Sequence, residues 1–332
     1  MSGGLTNDQA SAAHVHVRVP AKVNLFLGVE GRRADGYHEL VTVLQTVSLY
    51  DEIVAELAST ATAAHPAARR FMELVFALEG EHASVPANEG NLAVQAARLL
   101  MEHVGVGTTR TVRELKMPVT HLSLTKRIPV AAGMAGGSAD AAATLVALNQ
   151  LWYADLPVEQ LQELAATLGA DVPFCVSGGT ALATGTGTQT VEVLSRGNYH
   201  WVAGISNEPL ATPEVYRAFD EVGQISDIGP DAVLQALRTA DPRELGAALH
   251  NDLEVAAIHL RPELAPAKEA MLAAGACGAI VSGSGPTVVA LATSGEQAND
   301  IAAQVADRFD RVEVAESPAG GPELTEQRHQ AN

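Results

Sequence analysis

The stretch from Lys126 to Ser138, KRIPVAAGMAGGS, has the make-up of an anion site. A strand-like run enters a loop holding three glycines, and an alanine-rich helix is expected to leave it. Glycines let backbone N–H groups converge on one point, and a helix start adds unpaired donors and the positive end of its dipole. Ser138 could cap that helix, contact a phosphate or help hold a metal ion. A tight turn packed on small residues is the plainer reading. Two familiar phosphate loops do not fit. No lysine precedes Ser138, as GxxxxGK[ST] requires, and Gly133 and Gly136 have the wrong spacing for GxGxxG.

Four further segments carry chemistry-bearing side chains. In PAKVNLFL, Lys22 and Asn24 lie two apart on a strand and so project to one face. A lysine in such an apolar run needs a partner, unless it snorkels from an edge strand. In LGADVPF, Asp171 follows the end of a helix in a rigid turn, either as a general base or as a turn residue. In GRRADGYHEL, an Asp-Gly turn displays Tyr37 and His38 beside two arginines, which suits a base or ring, or is a plain hairpin tip. In SGSGPT, a second glycine turn joins two apolar strands, and a simple hairpin is the competing reading.

The elements that must position these groups mix without regular βαβ alternation. Strands are expected at 14–19, 23–29, 40–49 and 119–128, and helices at 91–103, 137–152 and 157–168. A second set of helices and strands runs from about 201 to 314. That pattern predicts an α+β fold of two domains rather than a doubly wound sheet. The expected division is a flexible N-terminus 1–13, a first domain 14–185, a second 186–315 and a flexible tail 316–332.

The chain has 332 residues and a formal net charge of −18. Nonspecific nucleic-acid binding needs a basic face, and docking on anionic lipid does too, so both are excluded as expectations. Residues 1–130 carry 12 basic and 13 acidic side chains, whereas 131–332 carry 9 and 26. Cys175 and Cys277 have no metal-ligand spacing and read as thiols of a reducing cytoplasm. The opening residues lack a signal-peptide pattern. The uncharged run 270–295 is broken by Gly, Ser and Pro and reads as strand, turn, strand rather than a membrane span.

Taken in order, PAKVNLFL, PVAAGMAGGSADAA and SGSGPTVVAL resemble the three motifs of the GHMP kinases. GRRADGYHEL, Asn91-Leu92-Ala93 and LGADVPF narrow the resemblance to the branch that phosphorylates 4-CDP-2-C-methyl-D-erythritol, on the non-mevalonate route to isoprenoid precursors. The resemblance implies an N-terminal domain like ribosomal protein S5 domain 2, a ferredoxin-like C-terminal domain and a cleft between them. It implies ATP as phosphoryl donor, Mg²⁺, a small-molecule acceptor, and a monomer or weak homodimer.

By position, Asp171 is implied as the base and Lys22 as its charged partner, with Asn24 at the acceptor. Tyr37 and Tyr216 are implied to flank the cytosine, His38 to bond its edge and Thr212 to touch substrate. Pro129, Val130, Ala131, Ala132, Gly133, Met134, Ala135, Gly136, Gly137 and Ser138 form the implied ATP phosphate loop, and Asn91 is an implied adenine contact. Ala135 stands where relatives often have glycine, so a negative φ is expected there. A homoserine- or mevalonate-type kinase, or a nucleotide-binding relative without catalysis, is the alternative; retention of both Lys22 and Asp171 disfavours the last.

Overall fold

A computed structural model describes residues 13–57, 74–79, 86, 88–105 and 119–328. The expected N-terminal arm, apart from Ala13, and the alanine-rich stretch 58–70 lie outside the described residues. Two long antiparallel strands, β1 (His14–Arg32) and β2 (His38–Leu57), run side by side through the first sheet. Three shorter expected strands are thus parts of two long ones. Register shifts at Pro20/Ala21, Asn24/Phe26 and Val29/Gly31 carry the pairing past Pro20, which has no N–H to offer a ladder. The early part of β1 alternates half-buried His14, His16 and Arg18 with buried Val15, Val17 and Val19. From Val19 to Val29 every residue is buried, because both faces are covered.

This sheet also holds β3 (Leu74–Glu79), β4 (Thr120–Thr125), β5 (Thr180–Gly185) and β6 (Gln189–Glu192), with β4 and β5 both paired to β2. Helices α1 (Leu92–Gly105) and α2 (Gly136–Leu151) pack together, and α2 also lies against β1 and β2. The α2 helix is buried around most of its circumference, and its small buried residues Ala139, Ala141, Ala142 and Ala143 permit that close approach. Next come α3 (Val158–Ala166) and the short α4 (Val172–Ser177).

The second sheet has strand order β11-β7-β10-β9, formed by β7 (Tyr199–Ile205), β9 (Gly278–Val281), β10 (Val288–Ala292) and β11 (Arg311–Ser317). Numbered within that sheet the order is fourth, first, third, second, the ferredoxin-like arrangement. Its strands bury both faces: Val289 and Leu291 join one core, and Val288, Ala290 and Ala292 the other. Helices α5 (Thr212–Val222), α6 (Asp231–Thr239), α7 (Pro242–Ala248), α8 (Glu254–Leu260), α9 (Leu264–Ala273) and α10 (Gly295–Val305) complete this half.

The chain crosses between the halves more than once. It stays in the first sheet to Glu192 and returns twice, through β8 (His250–Asn251) parallel to β1 and through β12 (Glu323–Arg328) antiparallel to it. The flexible tail expected from 316 is therefore corrected. Ala319 N donates to Thr46 O at 3.0 Å, Arg18 meets Glu323 at 2.6 Å, and β12 satisfies the free edge of β1. No helix among the described residues is long and apolar enough to cross a membrane.

Candidate active site

Lys22 and Asn24 sit between two of the β1 irregularities and point to the same side. The Lys22 ammonium donates to Asn24 Oδ1 at 2.6 Å and to Gly133 O at 2.8 Å. Asn24 in turn donates to Thr42 Oγ1 at 2.9 Å, and that hydroxyl donates to Phe26 O. The same lysine holds the glycine loop a second time, its backbone N–H donating to Met134 O at 3.2 Å. Ser282 Oγ also donates to Gly133 O, at 3.0 Å. With that carbonyl held by two donors, the trans peptide turns the Met134 N–H the opposite way.

The loop is tightly built. A Cβ on Gly133 would lie 1.9 Å from Ser282 O, so only glycine lets the first glycine turn meet the second. A Cβ on Gly283 would crowd Asn24 Oδ1 at 3.0 Å. Ala135 has φ 58, which corrects the negative value expected of it, and Ala131 is left-handed too at φ 48. Both spend energy on a conformation that glycine adopts without cost, about 1–2 kcal/mol per residue. Ala135 takes it because it precedes α2 while the neighbouring carbonyls are pinned by Lys22 and Ser282.

These groups open onto a cavity of about 640 Å³, a size suited to small-molecule ligands. Lys22, Asn24 and Asp171 line it together with Tyr37, His38, Thr212 and Tyr216. From the loop it takes Ala131, Ala132, Gly133, Ala135, Gly136, Gly137 and Ser138. Asp171 occupies the position before α4, with Pro173 in the first turn, yet its carboxylate makes no capping bond and stays open to the cavity. Its Oδ2 lies 3.8 Å from Lys22 Nζ. Tyr37 is 68% exposed, whereas Tyr216 is half-buried and stacks on the His38 ring at 4.8 Å. Burial, with Asp171 nearby, pushes the Tyr216 phenol up, so it stays neutral. Thr212 and Ser284 hydroxyls are 2.9 Å apart, tying α5 to the SGSGP turn.

Four expected residues fall outside the cavity lining: Asn91, Pro129, Val130 and Met134. Asn91, expected as an adenine contact, caps α1: its Oδ1 accepts from Ala93 N and its Nδ2 donates to Pro86 O, both at 2.9 Å. That is the work of a helix N-cap, and it engages one donor and one acceptor site of the amide. Met134 is buried in the core and Val130 faces outward.

Sequence reasoning missed several supports. Beneath the loop, Lys126 lies between the carboxylates of Asp51 and Asp140, all three buried. Asp51 Oδ1 also accepts from Arg127 N at 2.5 Å and Ile128 N at 2.8 Å, fixing the approach to the loop. Burial alone would push Lys126 down, but Asp140 and Asp51 outweigh it and hold the ammonium above its usual range. Burial raises the Asp140 carboxyl well above the ordinary range, and its Oδ1 finds no partner among the described residues. Asn251 Nδ2 donates to Val281 O and Gly283 O, both at 2.8 Å, and so shapes the second glycine turn.

Comparison with known proteins identifies the family of the chain. The GHMP kinases N terminal domain matches residues 91–179, and the GHMP kinases C terminal domain matches 233–311. A 4-diphosphocytidyl-2-C-methyl-D-erythritol kinase of Mycobacterium tuberculosis is 46% identical over 314 residues, 92% of each chain. One of Salinispora tropica is 44% identical over 325 residues, 95% of this chain and 96% of that one. The crystal structure of a 4-(cytidine 5'-diphospho)-2C-methyl-D-erythritol kinase superposes with a TM-score of 0.73 at 34% identity, over 92% of this chain and 100% of that one. The chain belongs to the GHMP kinases, within the 4-diphosphocytidyl-2-C-methyl-D-erythritol kinase family.

Proposed function

We propose that this chain transfers the γ-phosphoryl group of ATP to the 2-hydroxyl of 4-CDP-2-C-methyl-D-erythritol, giving the 2-phosphate and ADP. The observation that carries the reading is one cavity shared by Lys22, Asp171, the glycine loop and the rings of Tyr37, His38 and Tyr216. A phosphoryl donor and a base-bearing acceptor need those two kinds of wall side by side.

ATP is the co-substrate of GHMP kinases, and its phosphates fit the backbone N–H groups of the loop and the start of α2. Asp171 accepts the hydroxyl proton as the acceptor oxygen bonds the γ-phosphorus and the bond to the β-phosphate oxygen breaks. Lys22 offsets the charge that builds on the acceptor oxygen and the transferred group. A hydroxyl on a tertiary carbon is crowded, so holding it between a carboxylate and an ammonium supplies most of what the step needs.

For Mg²⁺, no group of three or more His, Cys, Asp or Glu able to cage a metal occurs among the described residues. That fits an ion shared with nucleotide phosphates, which needs only one or two protein oxygens. Asp171 and the Ser138 hydroxyl are among the cavity-wall oxygens that would supply such a contact. When bound, the ion neutralises phosphate charge.

The test is incubation of the purified protein with ATP, Mg²⁺ and 4-CDP-2-C-methyl-D-erythritol, followed by detection of ADP and the 2-phosphate. Homoserine and mevalonate serve as competing acceptors. Turnover of either of those, with none of the CDP-alcohol, overturns the reading.

A further inference from the structure

Asp220, on the last turns of α5, belongs to none of the motifs, yet it lines the same cavity. Its Oδ1 lies 2.7 Å from His38 Nε2, and its Oδ2 lies 3.6 Å from Arg32 Nη1. Among the described residues, Asp220 is the one hydrogen-bond partner of the His38 ring. The ring is otherwise fixed by packing: it is 7% exposed, stacked on Tyr216 at 4.8 Å and edge-on to Phe219 at 6.4 Å.

We propose that Asp220 is a positioning residue that sets base selectivity by fixing the His38 proton on Nε2. This rests on the reading above, in which His38 meets the base edge, and adds which hydrogen bond it makes and why. A carboxylate only accepts, so a bond of 2.7 Å to Nε2 requires the proton there. Arg32 also approaches the Asp220 carboxylate, and a ring that carries its single proton on Nε2 has its lone pair on Nδ1. That lone pair accepts from the exocyclic amino group of cytosine. Uracil offers a carbonyl oxygen at the same place, so two acceptors would face each other at a buried site, and such mismatches are rejected strongly.

The experiment measures equilibrium binding of CDP and UDP to the wild type, Asp220→Asn and Asp220→Ala, and reads the His38 tautomer by nitrogen NMR. An Asn side chain can accept from Nε2 or donate to it, so the proton position is no longer dictated. The wild type is expected to show the Nε2-protonated neutral ring and to prefer CDP. In both variants the CDP-over-UDP preference falls by about tenfold, the scale of one discriminating hydrogen bond. Equal weakening of CDP and UDP, an unchanged ratio, or a proton on Nδ1 in the wild type each overturns the proposal. The NMR reading stands even if a variant fails to fold. Absence of kinase activity toward the CDP-alcohol alongside these binding results would sink the proposed reaction instead.

Discussion

Lys22 Nζ and Asp171 Oδ2 stand 3.8 Å apart, beyond a hydrogen bond, while the ammonium makes its short bonds to Asn24 Oδ1 and Gly133 O. The lysine therefore links three things at once: the strand that carries it, the loop that would hold phosphate and the carboxylate that would take a proton. It is almost wholly buried, whereas the Asp171 side chain is 34% exposed toward the cavity. An acceptor hydroxyl entering between them would meet a base on one side and a fixed positive charge on the other.

Asp171→Asn keeps the shape of that gap and removes the proposed base. The expected result is a kcat lowered by about 10²–10⁴, the range of general-base assistance, with ATP affinity changed little. Steady-state kinetics and calorimetric titration of the nucleotide check the two halves separately. Turnover near the wild-type rate would remove Asp171 from the base role.

Tyr37 is exposed at the mouth of the cavity, where a ring contributes little to folding. Tyr37→Ala is expected to weaken binding of the CDP substrate by roughly 1–3 kcal/mol, the cost of one base–aromatic stack. Thermal stability should stay within error of the wild type. An unchanged KM for the CDP-alcohol counts against stacking at this position.

Ala135 at φ 58 makes a prediction of the opposite sign. Glycine would remove about 1–2 kcal/mol of left-handed strain while loosening the unfolded chain by about 0.4–1 kcal/mol. Ala135→Gly should therefore stabilise the protein by up to about 1.6 kcal/mol, read as a higher urea midpoint with an unchanged slope. Gly133→Ala should do the reverse and disrupt the nucleotide loop, because its Cβ would overlap Ser282 O. A destabilised Ala135→Gly would mean that the strain is offset by contacts of the methyl group.

The residues that could be read from the sequence were those whose type clashed with their surroundings. Lys22 and Asn24 stood out in an apolar strand, and the glycine loop stood out by composition. Asp220 and Asp51 carried no such signal, since each gains meaning only from partners 182 and 75 positions away, His38 and Lys126. Asn91 was reached through resemblance as an adenine contact, and its capping of α1 is visible only in the structure. Thr212 and Tyr216 were reached through resemblance alone. The tail misled because polar residues with Gly and Pro make up loose ends and charged edge strands alike, and only the open edge of β1 decides between them. The φ of Ala135 was unreadable because it is imposed by bonds from Lys22 and Ser282.

The buried cluster under the loop gives a pH dependence. Two carboxylates share one ammonium, and burial first, then the Asp51 charge, keeps the Asp140 carboxyl well above its usual range, against the pull of Lys126. The unfolded chain releases that proton near pH 3.9, about the ordinary aspartate value, while the folded protein keeps it to higher pH. Between those two values the native state binds the extra proton, so this group's contribution to stability declines as pH rises through the window. Asp140→Asn cannot lose a proton and still offers Lys126 an oxygen, so its stability should lack that decline. Urea unfolding from about pH 4 to pH 8 should show the variant gaining on the wild type as pH rises. Parallel curves across that range would mean that Asp140 titrates no differently folded than unfolded, and that Lys126 sits between two full negative charges.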